Sequence, residues 1–145
     1  AGAAIWLLAN INVGGTSVLT HFTNFLEPIG AFMGLDGVIL AAFILGFPAN
    51  EIVVPIMLMA YMGAGTLTDT GSIAALGEIL IRNGWTIKTA VCTILFFIMH
   101  WPCATACITA FKETKSIKWT AITIAAPAAA GFIVCTLVNH IMMIF

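Results

Sequence analysis

The stretch GFPANE, residues 46–51, interrupts a long apolar run that extends from Leu35 to Met62. Pro48 breaks a helix here, because proline has no N–H to donate and disfavours helical dihedrals in the residue before it. Gly46 permits the backbone conformations that such a break needs. Each flanking segment has about 12 residues, or about 18 Å of helix, and the hydrocarbon core of a bilayer is about 30 Å thick. The run is therefore predicted to be either a spanning helix broken near its middle or a re-entrant hairpin.

The break also places a carboxylate, Glu51, in the middle of apolar sequence. An intramembrane carboxylate costs about 2.5–3.5 kcal/mol on insertion scales and indicates a functional site by default. Transporters build substrate sites from broken helices of this kind. Two structural roles compete with solute contact. Glu51 would stabilise the N-terminal dipole of the second half-helix, and Asn50 would be its N-cap.

The composition is that of an integral membrane protein. Of the 145 residues, 61% are hydrophobic and 8% are charged, whereas a soluble domain carries about 25% charged residues. The net charge of −1 argues against a nucleic-acid partner. The chain opens within an apolar stretch, residues 1–9, that we interpret as the end of a helix beginning upstream, so we expect a C-terminal part of a larger protein. We predict no enzyme activity, because no nucleophile elbow, HExxH or phosphate-loop motif is present.

A second apolar run, residues 86–111, repeats the pattern of the first. Its middle holds the stretch HWPC, residues 100–103, in which a proline again lies among polar groups. We therefore predict an all-α polytopic membrane domain with two interrupted or re-entrant helices, whose breaks meet near the middle of the membrane.

The rest of the chain divides around these two runs. Residues 1–24 are predicted to be the end of a preceding membrane helix and a loop that starts at Asn10, and residues 25–145 the membrane domain. Inside that domain we predict a short helix 25–34, the broken helix 35–62, a polar loop 63–71, an amphipathic interfacial helix 72–83, the broken helix 86–111, a charged connector 112–118 and a final span 119–145.

The residues around the two breaks form a candidate metal site. Thiolate, imidazole and carboxylate together suit a borderline ion such as Fe(II), Zn(II) or Mn(II). Cys103 and Cys107 share one helix face, although Pro102 disturbs the register of His100. The candidate ligands are Cys103, Glu51, Asn50, His100 and Cys107. In the structural alternative, the histidine only bonds a freed carbonyl and the cysteines are small packing residues.

Three linked motifs lie along the chain: GFPANE at 46–51, HWPCAT at 100–105 and KETKSIKW at 112–119. Together they resemble the membrane half of the bacterial ferrous iron transport protein B family, specifically its second gate repeat near the C-terminus. The resemblance covers roughly residues 26–140. It implies a multi-pass importer of Fe(II) in the bacterial inner membrane, with Cys103 as the gate cysteine and Fe(II) as transported ion rather than as a cofactor of this chain.

The same resemblance implies partners. Complete proteins of this family carry an N-terminal cytoplasmic GTP-binding domain, which would hold GTP and Mg²⁺, and they often work with small accessory proteins of the same iron system. The missing N-terminal half, with the first gate repeat, would complete the transporter. We also expect contact with membrane lipid and self-association into a homo-oligomer, because a lone half-domain would expose polar breaks to lipid.

Two other functions compete with iron transport. The gate repeats of this family resemble those of concentrative nucleoside carriers, so the alternative is a gate-type carrier for nucleosides or another small organic solute. In that case Asn50 and Glu51 would hydrogen-bond the solute and Cys103 would be inessential. The second rival is a structural membrane piece, for which the small residues at 125–131 would suit tight helix packing.

Overall fold

The computed structural model describes residues 2–63 and 71–144. The elements in chain order are α1 (Gly2–Asn10), β1 (Asn12–Val13), β2 (Thr16–Ser17), α2 (Val18–Met33), α3 (Gly37–Leu45), a 3₁₀ turn (Asn50–Ile52), α4 (Val53–Met62), α5 (Ile73–Arg82), α6 (Ile87–Met99), α7 (Ala104–Thr114) and α8 (Ile117–Ile144). By length and composition, two described segments are able to cross a membrane, Ile87–Thr114 and Ile117–Ile144. The pair α2 and α3, which is bent by 109°, would be a third if the two helices count as one span. The predicted all-α membrane fold is confirmed.

The first apolar run is a helical hairpin made of α3 and α4. Tyr61, near the end of α4, donates its hydroxyl proton to the carboxylate of Asp36, which is the N-cap of α3. The far ends of the two helices therefore lie side by side. Gly46 allows the close return between them, because a Cβ at this position would lie 2.4 Å from Cγ2 of Val53. Of the two predicted forms of this run, the structure has the hairpin.

The second apolar run is an interrupted straight segment. The helices α6 and α7 together form the 28-residue segment Ile87–Thr114, and the break follows the 13 residues of α6. Both halves pack against α8. The break therefore lies near the middle of a segment long enough to cross a bilayer.

The hairpin lies at the centre of the molecule. The side chains of Ile39 and Phe43 on α3 and of Val53 on α4 have no exposed surface. Five consecutive residues of α3, from Ile39 to Phe43, are buried, so neighbours cover this helix on all sides. By contrast, α8 buries only Gly131, Cys135 and Asn139. Its remaining apolar surface is of the kind that a lipid environment accepts.

Four polar side chains stabilise the open end of the hairpin by hydrogen bonds. Besides donating to Asp36, the Tyr61 hydroxyl accepts a hydrogen bond from Nε1 of Trp85 at 2.8 Å. The other carboxylate oxygen of Asp36 accepts from the backbone N–H of Ile39 at 2.7 Å. Glu27 of α2 accepts from the N–H of Gly37 at 2.7 Å. Two carboxylates thus stabilise the N-terminal end of α3, where the helix dipole favours negative charge.

Replacing Tyr61 with phenylalanine is expected to lower the free energy of unfolding by about 1–3 kcal/mol, because it leaves a carboxylate oxygen of Asp36 and the indole N–H of Trp85 without this partner. Thermal unfolding in detergent measures the change. Thr109→Val is the control, since the exposed Thr109 hydroxyl bonds only the carbonyl of Thr105 in its own helix. Equal melting temperatures for Tyr61→Phe and the parent protein would contradict the role assigned to this hydroxyl.

The N-terminal part of the chain differs from the prediction. The predicted loop that starts at Asn10 is wrong from Val18 onward, because α2 begins there with Ser17 as its N-cap. The Ser17 hydroxyl accepts from the N–H of Thr20 at 3.1 Å. The predicted short helix 25–34 is the second half of α2, so Pro28 lies inside a helix rather than at its start. Packing of one buried stripe of α2 outweighs the weak helix propensity of its threonines and asparagine.

The other boundaries agree more closely with the prediction. Helix α5 has Ser72 and Asn83 at its two cap positions, as expected for 72–83. The charged connector is shorter than predicted, since α7 continues to Thr114 and α8 starts at Ile117. The expected N-cap role of Asn50 is wrong: Ala49 occupies that position before the 3₁₀ turn. Most of the predicted loop 63–71, like residues 1 and 145, lies outside the described residues.

Candidate functional site

The tip of the hairpin touches the break between α6 and α7. The backbone N–H of Ala104, the first residue of α7, donates to the carbonyl of Phe47 at 2.9 Å. The prediction that the two breaks meet is therefore confirmed. Two helix C-termini, those of α3 and α6, and two helix N-termini meet at this junction. Cations are favoured near helix C-termini and anions near N-termini.

A cavity of about 390 Å³ opens beside this junction. The 3₁₀ turn after the first break contributes Asn50, and α8 contributes Thr123 and Pro127. The remaining lining residues come from the end of α6 and the second break: Phe97, Ile98, His100, Trp101 and Pro102. The cavity thus lies where both breaks and the last long helix come together.

His100 presents a free ring nitrogen in this region. Only 8% of the residue is exposed. Its Nδ1 lies 2.8 Å from the carbonyl of Phe97, and because a carbonyl only accepts, Nδ1 carries the proton. Nε2 is buried and has no hydrogen-bond partner among the described residues. In this tautomer the Nε2 lone pair is available, which is the arrangement in which histidine binds metal ions.

Asn50 and Trp101 add two further unpaired polar atoms. Oδ1 of Asn50 and Nε1 of Trp101 are buried and make no hydrogen bond to any described residue. Buried polar atoms are normally paired, so each such atom calls for an explanation. Asn50, His100 and Trp101 all line the same cavity, so the residues that carry two unpaired acceptors and one unpaired donor are neighbours there.

The other three predicted ligands do not line this cavity. Cys103 is half-buried at the N-cap position of α7, directly before Ala104. The buried thiol of Cys107 donates to the carbonyl of Pro102 at 3.4 Å. Glu51 is exposed in the 3₁₀ turn. Across residues 2–63 and 71–144, no three His, Cys, Asp or Glu side chains form a group able to hold a metal ion. The five-residue ligand set stays a prediction.

Three residues that line the cavity were not predicted as site residues: Thr123, Pro127 and Trp101. Pro127 lies inside α8 and has no N–H to donate to the carbonyl of Thr123, one turn earlier. A proline and a threonine one turn apart in a long apolar helix are a usable signal for a cavity wall. Nothing in the sequence, however, indicates which break this part of α8 would face.

Comparison with known proteins gives the family. The sequence matches the Gate family, described as nucleoside recognition, over residues 1–117. The chain belongs to the Gate family. No solved structure matches it.

Curated relatives of this Gate-family chain are Fe(2+) transporter FeoB proteins. The FeoB of Staphylococcus aureus strain COL is 28% identical over an alignment of length 137, which covers 89% of this chain and 19% of the relative. The FeoB of strain MSSA476 is 27% identical over an alignment of length 149, which covers 97% of this chain and 21% of the relative. The FeoB of Campylobacter jejuni is 29% identical over an alignment of length 128, which covers 88% of this chain and 20% of the relative. The resemblance to this transporter family is confirmed, and the Gate-family chain spans about a fifth of these relatives.

The cavity of this Gate-family chain is uncharged and mostly apolar, with a few polar side chains in its lining. None of its lining residues is an aspartate, glutamate, lysine or arginine. A neutral donor set binds a cation less tightly than a cluster of carboxylates does. Weak binding suits a transport site, because a transported ion must also leave.

Proposed function

We propose that this Gate-family chain forms part of a path for Fe(II) across a bacterial inner membrane, within a multi-pass transporter. The observation that carries the proposal is the cavity at the junction of the two breaks, where Nε2 of His100 and Oδ1 of Asn50 lack hydrogen-bond partners within the described structure. Imidazole nitrogen and amide oxygen both suit Fe(II). The relatives named Fe(2+) transporter FeoB support the same cargo.

In the proposed mechanism, Fe(II) exchanges part of its water shell for Nε2 of His100 and Oδ1 of Asn50. The proton stays on Nδ1, which donates it in a hydrogen bond to the carbonyl of Phe97, and this bond holds the ring in the tautomer that binds metal. Cys103 lies at the start of α7, beside the backbone bond between Ala104 and Phe47. Its thiolate would take the ion next, and a shift of the hairpin tip would break that bond and gate the step.

The resemblance to the ferrous iron transport family implies which other parts a complete transporter would have. A GTP-binding domain elsewhere in the protein would hold GTP and Mg²⁺, and the first gate repeat would face the junction described here. This Gate-family chain itself would carry no chemical step. Small accessory proteins of the same iron system would be further partners of the complete transporter.

A carrier of nucleosides or another small organic solute is the second candidate. The observation that favours it is the unpaired N–H of Trp101 beside the two acceptors, because a donor and acceptors together match the hydrogen-bonding groups of a base or sugar. The description of the Gate family as nucleoside recognition supports this candidate too. The two functions differ in their need for a thiolate.

Replacing Cys103 with serine tests the iron path. We expect Fe(II) uptake to fall by at least about tenfold, since a hydroxyl is a much poorer ligand than a thiolate for a borderline ion. Cells that produce the parent protein or the variant take up radioactive iron under reducing conditions, and a membrane blot establishes equal abundance. Thr109→Val is the control on the same helix, because Thr109 is not a candidate ligand and its exposed hydroxyl bonds only the carbonyl of Thr105.

Unchanged uptake by Cys103→Ser at equal abundance would remove the thiolate from the mechanism. An equal loss in both variants would assign the effect to the packing of α7 instead. Nucleoside uptake by the parent protein, with no iron uptake, would favour the organic-solute carrier.

A further inference from the structure

A second group of unused donor atoms lies between α6, α8 and the end of α2. Cys92 of α6 and Cys135 of α8 have no exposed surface, and Asn139 is 3% exposed. The Cys92 thiol lies 3.9 Å from the carbonyl of Cys135, and the Cys135 thiol lies 3.4 Å from the carbonyl of Cys92. The two thiols therefore lie at the same level across the contact between the two helices.

Asn139 adds an amide oxygen that could bind a metal ion and that has no hydrogen-bond partner within the described structure. Its Nδ2 donates to the carbonyls of Ala31 and Phe32 at 3.3 and 3.0 Å, at the end of α2. These two bonds fix the orientation of the amide, and Oδ1 is left buried without a hydrogen bond. Leaving a buried acceptor unpaired destabilises the fold, so a ligand that satisfies it is favoured.

Gly34 shows that the amide oxygen and one thiol lie close together. Gly34 has a φ of 76°, and a Cβ built on it would lie 2.9 Å from Oδ1 of Asn139 and 2.9 Å from Sγ of Cys92. Any side chain at Gly34 would clash with both atoms, so the amide oxygen of Asn139 and the sulfur of Cys92 pack against the same point of the backbone. This second donor group is the cluster of Cys92, Cys135 and Asn139.

We infer that Cys92, Cys135 and Asn139 form a second binding site for a borderline, thiol-seeking divalent cation, separate from the junction of the breaks. The inference rests on the proposed function for the identity of the natural cation, Fe(II). Two thiolates balance the charge of one divalent ion, so the occupied site is neutral in an apolar surrounding. Binding releases the two thiol protons to the solvent.

The position of this cluster fits a stepwise path. Cys92 precedes His100 by eight residues of α6 and its cap, which corresponds to about 12 Å along a helix. Conduction through several moderate sites lets an ion move on more readily than one tight site does. Because both thiols are fully buried, the contact between α6 and α8 must open before an ion enters. Binding at this cluster is therefore slow compared with binding in the cavity.

Cobalt(II) is the probe for this site, because its bonds to thiolates give charge-transfer absorption in the near ultraviolet. The protein in lipid nanodiscs is titrated with Co(II) under a mild phosphine reductant, in a Cys103→Ser/Cys107→Ser background. Adding Cys92→Ser or Cys135→Ser should remove the remaining thiolate band that arises from this chain and weaken Co(II) binding by at least about tenfold. Asn139→Leu should weaken binding and keep the band at saturating Co(II).

Thr93→Val is the matched control for packing. Thr93 neighbours Cys92 on α6, is 7% exposed and donates only to the carbonyl of Thr89 in its own helix. Its substitution should leave the band unchanged. A band of parent intensity in Cys92→Ser, with parent melting temperature, would overturn the inference and leave the two cysteines as packing residues.

The two proposals fail independently in these experiments. Loss of the band in Cys92→Ser together with normal iron uptake in variants of the junction would keep the second site and overturn the proposed path. Loss of iron uptake in the junction variants, with no thiolate band from Cys92, would keep the proposed path and overturn the second site.

Discussion

Replacing His100 with phenylalanine is expected to reduce Fe(II) uptake by at least about tenfold at unchanged protein abundance. The new side chain keeps a ring of similar size among the aromatic neighbours that surround this position, which are Phe43, Phe96, Phe97 and Trp101. It loses Nε2, the buried nitrogen without a partner in the described structure. Radioactive iron uptake by cells, under reducing conditions, measures the effect.

His140→Phe is a closely matched control for this substitution. Nδ1 of His140 lies 2.8 Å from the carbonyl of Thr136, just as Nδ1 of His100 lies 2.8 Å from that of Phe97. Both variants therefore lose the same kind of hydrogen bond to a helix carbonyl. Only His100 lines the cavity at the junction, and His140 is exposed on α8. Equal uptake in the two variants would show that Nε2 of His100 takes no part in transport.

The second large effect is expected at Gly37, where α3 crosses α2. A Cβ at Gly37 would lie 2.0 Å from the carbonyl oxygen of Thr23 and 2.8 Å from the backbone nitrogen of Glu27. Backbone atoms cannot move aside as the end of a side chain can, so Gly37→Ala forces the two helices apart. We expect a loss of about 3 kcal/mol or more in the free energy of unfolding, because the separation also disrupts the bond from Gly37 to Glu27.

Gly77→Ala is the control for the glycine substitution itself. Gly77 lies inside α5 with no atom within 4 Å of a built Cβ. Alanine is favoured over glycine inside a helix by about 0.5–1 kcal/mol, so this variant should be as stable as the parent or more so. Melting temperature and the monodisperse yield in detergent compare the two variants. A Gly37→Ala protein with parent stability would contradict the close crossing of α2 and α3.

Both helix breaks could be predicted from the sequence because their causes are local. Pro48 and Pro102 lack the N–H that a continuing helix requires, and the polar residues beside them lie where a lipid-facing helix would have none. The start of α2 could not be predicted in this way, because its threonines and asparagine resemble a loop in composition. Ser17 was the available local signal, as a residue type that favours N-cap positions.

The geometry of the site depends on contacts that no local pattern encodes. The bond from Ala104 to Phe47 joins residues far apart in the chain, and the hairpin that permits it depends on the pairing of Tyr61 with Asp36. As a result, Asn50 and His100 come to line one cavity, whereas Glu51, next to Asn50 in sequence, is exposed. Residue type alone gave the candidate ligands, and the fold separates them.

Transport by purified protein tests the central proposal most directly. Proteoliposomes with GTP present, an Fe(II)-responsive dye inside and a radiolabelled nucleoside outside report both cargoes in one preparation. The account predicts that Fe(II) enters, that His100→Phe slows this entry by at least about tenfold while His140→Phe does not, and that the nucleoside stays outside. Entry of the nucleoside without Fe(II), or Fe(II) entry at parent rate in His100→Phe, would contradict an iron path through the junction of the two breaks.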